Sequence, residues 1–286
     1  MRASPSLWPV NGKGSLKNCD PADTLGFRDK RGAKHKLKAD IVALSGLQDV
    51  LMASARFGVL VVFQGTDGAG KDSAIKHVMS GLNPQGVSVH AFKQPSEEEL
   101  RHPYLWRAAI ALPERGRIGI FNRSYYEDVI VVRVHPELLA PDFAKQAKET
   151  LWKRRFRQIN EFERSLVENN IIVLKFYFNL SKKEQARRLL ARLREPSKHW
   201  KFSAADVTQR KRWSTYKRVY EETLNATSTP WAPWYVLPAD HKWVSHLAIA
   251  DVLVRRLRAL RLEYPTLPSE SRGMLRAWMR QLKKEA

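Results

Sequence analysis

The sequence predicts an α/β fold three layers deep, α/β/α, built on a mostly parallel five-stranded sheet with a helical lid. Three observations predict it. Five short apolar runs, rich in β-branched and aromatic residues, alternate with amphipathic stretches along the chain, the order that gives a parallel sheet between helical layers. The first run enters a glycine-rich turn, Gly65-Thr66-Asp67-Gly68-Ala69-Gly70-Lys71-Asp72-Ser73, that opens a helix. A strongly basic helical excursion, at about 181–218, follows the fourth run. No internal repeat interrupts this order.

Residues 1–33 read as an irregular arm, with Pro5, Pro9, Gly12 and Gly14 breaking any period. Residues 34–286 read as one domain. Leu37, Ile41, Leu44 and Leu47 or Leu51 recur at helical spacing over 34–57. The run Gly58-Val59-Leu60-Val61-Val62-Phe63 has no polar face, as a fully buried strand requires. Ala74 to Met79 continue the helix behind the turn. Gly81 to Gly86 is a break, and 87–92 a second strand. Ser96 and Glu99 form a capping box for a helix carrying Leu100, Tyr104, Trp106 and Ile110 and ending before Pro113. Ile118 to Phe121 is the third strand. Residues 142–170 form a long amphipathic helix with Phe143, Leu151, Phe156, Ile159, Phe162 and Leu166 inward. Residues 171–178 and 234–238 are the fourth and fifth strands. Amphipathic helices close the chain at 247–262 and, with a basic face, at 272–284.

The chain has 286 residues, 43% of them hydrophobic, enough for a sizeable core. Its net charge of +21 implies a polyanionic partner: nucleic acid, an anionic membrane face or a phosphate polymer. The single cysteine, Cys19, excludes an intrachain disulfide and fits a reducing, cytoplasmic setting. Residues 1–20 lack the apolar core of a signal peptide, and no apolar run approaches the ~20 residues that cross a bilayer.

Strand, glycine turn, lysine and helix form the layout of a phosphate-binding loop, a P-loop. Glycines let successive N–H groups face an anion, the helix N-terminus adds partial positive charge, and Lys71 adds a full one. The phosphate contacts expected here are Gly65, Gly68, Ala69, Gly70, Lys71, Asp72 and Ser73. Asp72 stands where Ser or Thr usually holds Mg²⁺, with Ser73 one place later. Two carboxylates at such a loop, Asp67 and Asp72, make sense with a divalent cation between them and the phosphate. The bland alternative is a glycine-rich β-turn before an ordinary helix.

The third strand ends in Asn122-Arg123-Ser124-Tyr125-Tyr126-Glu127-Asp128, at the sheet edge where open α/β folds bind ligands. Arg123 suits a bidentate phosphate clamp, and Glu127 and Asp128 lie within reach of the site. The alternative is a surface ion-pair cluster. Arg133 either pairs with a carboxylate or reaches a ligand; His135 reads as structural. Arg187 and Arg188 follow the fourth strand, where a lid would stabilise transferring charge; most other cations of that stretch read as a solvated face. Lys93 and Lys198 are further phosphate or nucleotide contacts, and Trp200 either packs or stacks on a base.

The loop motif, Phe121-Asn122-Arg123-Ser124-Tyr125-Tyr126-Glu127-Asp128-Val129, Glu195-Pro196-Ser197-Lys198-His199-Trp200-Lys201-Phe202-Ser203, and Thr227 through Asp240 together resemble the polyphosphate kinase 2 family over roughly 34–265. The resemblance implies Mg²⁺-dependent phosphoryl transfer (Mn²⁺ is the alternative) between inorganic polyphosphate and nucleotides. It implies an aspartate at Asp67 acting on metal and acceptor, the loop lysine at Lys71, arginines at Arg123 and Arg133, and lid arginines near Arg187 and Arg188. The metal positions fall on Asp67 and Asn122, although many members carry Asp where this chain has Asn122. Many also carry Asn where this chain has Glu127; the acidic form looks like the subgroup that accepts both AMP and ADP. A homodimer or homotetramer is the expected assembly. Two other readings share these features: an ATP-dependent nucleoside-monophosphate kinase, and a nucleic-acid or polyanion binder with a degenerate loop, although no dedicated nucleic-acid module is recognisable.

Overall fold

The computed structural model describes residues 4–10, 12–139, 148–201 and 203–285. A six-stranded sheet runs β1-β6-β5-β2-β4-β3. Its five long strands are β2 (Gly58–Gln64), β3 (Val87–Ala91), β4 (Ile118–Asn122), β5 (Ile171–Asn179) and β6 (Trp234–Pro238), all mutually parallel. These are the five expected strands. The sixth, β1 (Ser6–Leu7), comes from the arm and pairs antiparallel with β6, Ser6 opposite Val236 and Leu7 opposite Tyr235. Two residues are too few to carry an alternation a sequence reading can detect.

The pleat of β2 sorts the core into two layers. Val59, Val61 and Phe63 point to the face covered by α1 (Lys30–Ser54), α2 (Lys71–Val78) and α10 (Lys242–Ala259). Leu60 and Val62 point to the opposite face, under α5 (Glu127–Val134), α6 (Lys148–Glu168) and α9 (Trp213–Thr227). The architecture is therefore the three-layer, P-loop kinase-like one. Helix α1 begins four residues before the apolar pattern does, because the Asp29 side chain accepts from the Gly32 N–H at 2.9 Å and caps it. Among the described residues no helix is long and apolar enough to cross a membrane.

The helix expected from Ser96 to Pro113 is two short ones, α3 (Glu97–Leu100) and α4 (Trp106–Ala109). The capping box at Ser96 and Glu99 forms as expected. Pro103 then breaks the run, since it lacks an N–H and disfavours helical backbone at the residue before it. Leu100 and Ile110 consequently face solvent. The expected start of the long helix at 142, with Phe143, and Phe202 of the third motif lie outside the described residues. The remaining α-helices among the described residues are α7 (Lys182–Arg194), α8 (Ala204–Thr208) and α11 (Ser269–Glu285).

The arm returns to the far end of the chain. Trp8 is buried and its indole N–H donates to Asn225 Oδ1 at 2.9 Å, while the Leu16 N–H donates to Glu221 Oε2 at 2.6 Å, both acceptors on α9. The Asp240 N–H donates to the carbonyl of Pro21 at 2.9 Å.

Helix α2 packs on α10 through His246, whose Nε2 lies 3.2 Å from Ser73 Oγ and whose ring stacks on His77 at 4.7 Å. Burial first, then His77, Lys242, Arg188 and Lys30 nearby, push His246 down to about 4. A histidine depressed in the folded state contributes stability that is present above its unfolded value of about 6.5 and is lost as pH falls toward 4. The chain should lose roughly 2–3 kcal/mol from this group between pH 6.5 and 4. Urea titrations at both pH values should show that loss shrinking in His246→Gln.

Candidate active site

Strand β2 lies between β4 and β5, so the loop after it opens at the carboxyl edge of the sheet centre. Gly68 and Gly70 adopt left-handed backbone, φ 83° and 109°, which side chains with a Cβ resist. Gly70 directly precedes α2, and Lys71 is its first residue. Lys71 is buried; its Nζ donates to the carbonyls of Gly65 at 2.7 Å and Thr66 at 3.3 Å. Burial, then Arg123, push the lysine down, against Asp67, Glu127 and Asp72, which favour its charge.

The turn after β4 places Arg123 beside this loop. Arg123 itself has left-handed backbone, φ 63°, strained for a non-glycine residue by roughly 1–2 kcal/mol. Its N–H donates to the Phe63 carbonyl at 3.1 Å, and its guanidinium pairs with Asp67 and, at 3.6 Å, with Glu127. Burial pushes the Asp67 carboxyl up, but Arg123 and Lys71 outweigh it and hold Asp67 below the usual carboxylate range. Glu127, at the start of α5, goes the other way: burial raises it despite Arg123 and Lys71. Asn122 Nδ2 donates to Asp72 Oδ1 at 2.7 Å, tying the end of β4 to the first turn of α2.

These residues open into a cleft of about 1170 Å³. Of the expected site residues it is lined by Asp67, Gly68, Ala69, Gly70, Lys71, Asp72, Ser73, Lys93, Asn122, Arg123, Arg187, Arg188 and Lys198. Its lining carries eight cationic side chains against three carboxylates. Gly65 and Glu127 line a smaller cavity of about 50 Å³, walled by Trp213, Tyr216 and Tyr220. Asp67 and Arg123 line both, so their ion pair stands between the two spaces.

Three expected residues are tied up by protein contacts. Arg188 lines the cleft but is buried, donating to the carbonyls of Gly68, Ala69, Ala239 and Asp240 at 2.6–3.0 Å. It clamps the loop from behind, whereas Arg187 is exposed and pairs with Glu184. Arg133 takes the carboxylate option, pairing with Glu222 while its guanidinium lies 5.6 Å from the rings of Trp152 and Phe156. Asp128 lies beside Arg155, and burial raises its carboxyl to about 6. Neither Arg133 nor Asp128 lines the two cavities.

A profile of the family described as Polyphosphate kinase 2 (PPK2) matches residues 28–264. The chain belongs to the polyphosphate kinase 2 family. This polyphosphate kinase 2 chain is 44% identical over 261 residues to an ADP-polyphosphate phosphotransferase of Rhodopseudomonas palustris, covering 90% of each. It is 42% identical over 256 residues to an AMP/ADP-polyphosphate phosphotransferase of Meiothermus ruber, covering 89% of this chain and 92% of the relative. Its fold superposes on the crystal structure of polyphosphate kinase 2 from Arthrobacter aurescens TC1 with a TM-score of 0.84 at 35% identity, covering 95% of this chain and 98% of that one.

Within this family member, Lys242, Arg192, Gln185 and Asp206 also reach the site and were not singled out by the sequence reading. Lys242 opens the helix after β6, so the rule that ligands sit at carboxyl ends of strands would have found it. Gln185 Nε2 donates to the Asp67 carbonyl at 2.8 Å; nothing in the sequence marks that contact.

Proposed function

We propose that the chain transfers the terminal phosphoryl group of inorganic polyphosphate to AMP and ADP, giving ADP and ATP, and that the transfer runs in both directions. The observation that supports it most is the cleft itself, with a P-loop at its floor and cations outnumbering carboxylates along its walls. A chain of phosphates is the donor that needs so extended a cationic track. Residues 34–286 act in this reading as one catalytic domain, with 181–218 as its basic lid.

An oxygen of the nucleotide's terminal phosphate attacks the end phosphorus of the donor. One P–O bond forms, one phosphoanhydride bond breaks, and the shortened polyphosphate leaves with the released charge. Backbone N–H groups from Gly68 to Lys71 cradle phosphate oxygens. Lys71, Arg123 and Arg187 neutralise the charge spread over the transferring group. A carboxylate held below its ordinary value is a poor proton acceptor, so Asp67 acts through the Arg123 guanidinium it orients, and through a metal where one is bound, rather than by deprotonating the attacking phosphate.

No group of three His, Cys, Asp or Glu gathers among the described residues. The oxygen donors near the loop are Asp67, Asp72 and the Asn122 amide. That sparse set fits Mg²⁺, which takes one or two carboxylates and completes its shell with water and substrate phosphates. Asp67 and Asp72, with Asn122 at the end of β4, would hold it. A bound Mg²⁺ would offset phosphate charge.

The test is a nucleotide assay with purified protein, Mg²⁺ and polyphosphate, offering AMP and ADP separately, beside a reaction with ATP as the only donor. ADP and then ATP from AMP plus polyphosphate supports the reading; transfer only from ATP overturns it. Glu127→Asn should shift acceptor choice toward ADP, lowering kcat/KM for AMP relative to ADP by about 10-fold, the size of one lost charged contact. Equal ratios in the two proteins would remove Glu127 from acceptor selection.

A further inference from the structure

Behind the site lies a closed polar network that touches neither cavity. Lys175 on β5 and Glu163 on α6 are wholly enclosed, each side chain 0% exposed, with Nζ 2.6 Å from Oε2. Lys175 spends its other two protons on the Thr227 carbonyl at 2.7 Å and Tyr126 Oη at 3.0 Å. Glu163 Oε1 accepts from Tyr125 Oη at 2.9 Å and Tyr126 Oη at 2.7 Å. All three lysine protons and both carboxylate oxygens are therefore used.

An ion pair this deep is a poor source of stability, because the desolvation of both charges can exceed their attraction. What it does hold is specific. Tyr125 and Tyr126 are the two residues between the Arg123–Ser124 turn and Glu127. The same turn is fixed from the other side by Gln64 Nε2 donating to Ser124 Oγ at 3.1 Å. Arg123 keeps its left-handed backbone only because its surroundings impose it.

We infer that Glu163 and Lys175 are positioning residues for phosphoryl transfer: through Tyr125 and Tyr126 they fix the backbone on which Arg123 and Glu127 face the phosphates. This inference rests on the proposed reading of those two residues. A misplacement of about 1 Å at such a turn can cost up to about 100-fold in rate.

The test compares wild type with Glu163→Gln, Tyr126→Phe and the double variant Glu163→Gln/Lys175→Met. The double variant and Tyr126→Phe leave no orphaned charge, so they serve if the single glutamine variant fails to fold. Melting temperature, kcat, KM for polyphosphate and hydrogen exchange over residues 122–128 are measured on each. The expected result in the folded variants is a 10- to 100-fold fall in kcat with KM for polyphosphate within twofold. Exchange should quicken at 122–128 and not in β2 or β5. Unchanged kcat and unchanged exchange overturn the inference, as does a uniform rise in exchange that tracks a lower melting temperature. Absence of polyphosphate-dependent transfer in wild type would instead overturn the proposed activity, and exchange at 122–128 would still decide the positioning role.

Discussion

Replacing Lys71 with methionine is expected to lower kcat by about 10³-fold, the upper end of what one preorganised charge contributes to a transition state. The side chain is buried against two loop carbonyls, so its ammonium already sits in the loop that receives phosphate. Methionine keeps most of the volume and removes the charge. The loss of two buried hydrogen bonds should cost about 1–3 kcal/mol of stability, leaving the chain folded. Steady-state kinetics with circular dichroism on the same preparation checks both parts. Activity within 10-fold of wild type would mean that Lys71 braces the loop and does not act on phosphate.

Arg188→Ala is expected to have the largest effect on stability. One guanidinium supplies donors to four backbone carbonyls, from the P-loop and from the turn after β6, and to Glu184 Oε1 at 2.7 Å. Its removal leaves those buried acceptors unpaired at a cost of about 3–5 kcal/mol, a fall in melting temperature of roughly 10 °C. Activity should fall with it, because the loop loses its backing. Arg187→Ala should lower activity while leaving the melting temperature within about 1 °C, since that side chain is exposed and pairs along its own helix. Scanning calorimetry beside the nucleotide assay separates the two. A closing-lid role for Arg188 would instead give lost activity at unchanged melting temperature.

That contrast shows where the sequence stops being informative. Arg187 and Arg188 are neighbours in a basic stretch with the same local composition. Only the folded chain brings Gly68, Ala69, Ala239 and Asp240 around one of them. Local signals were legible: the uninterrupted apolar runs of β2 and β5, the glycines and Lys71 of the loop, and the Ser96 capping box. The Pro103 break was printed in the sequence, but the apolar spacing of Leu100, Tyr104, Trp106 and Ile110 concealed it. The Asp67–Arg123 pair could be anticipated as two residues at one sheet edge. The positive φ that aims Arg123 could not, since it is imposed by β2 and the packing beneath the turn. Asp128 sits in the second motif and Arg133 four residues beyond it, yet their helix turns them toward Arg155 and Glu222, away from the cleft.

The antiparallel pairing of β1 with β6 has a consequence for how the molecule is made. Ser6 and Leu7 precede their partners Val236 and Tyr235 by 230 and 228 residues of synthesis. At translation speeds of about 5–20 residues per second, the arm waits roughly 11–46 s for the strand it will join. Contacts of such sequence separation form late and slowly. Until then the outer edge of β6 has no strand beside it, and an open edge is a template for pairing with another chain. The two-residue strand thus works as a fastening over an edge that would otherwise stay open.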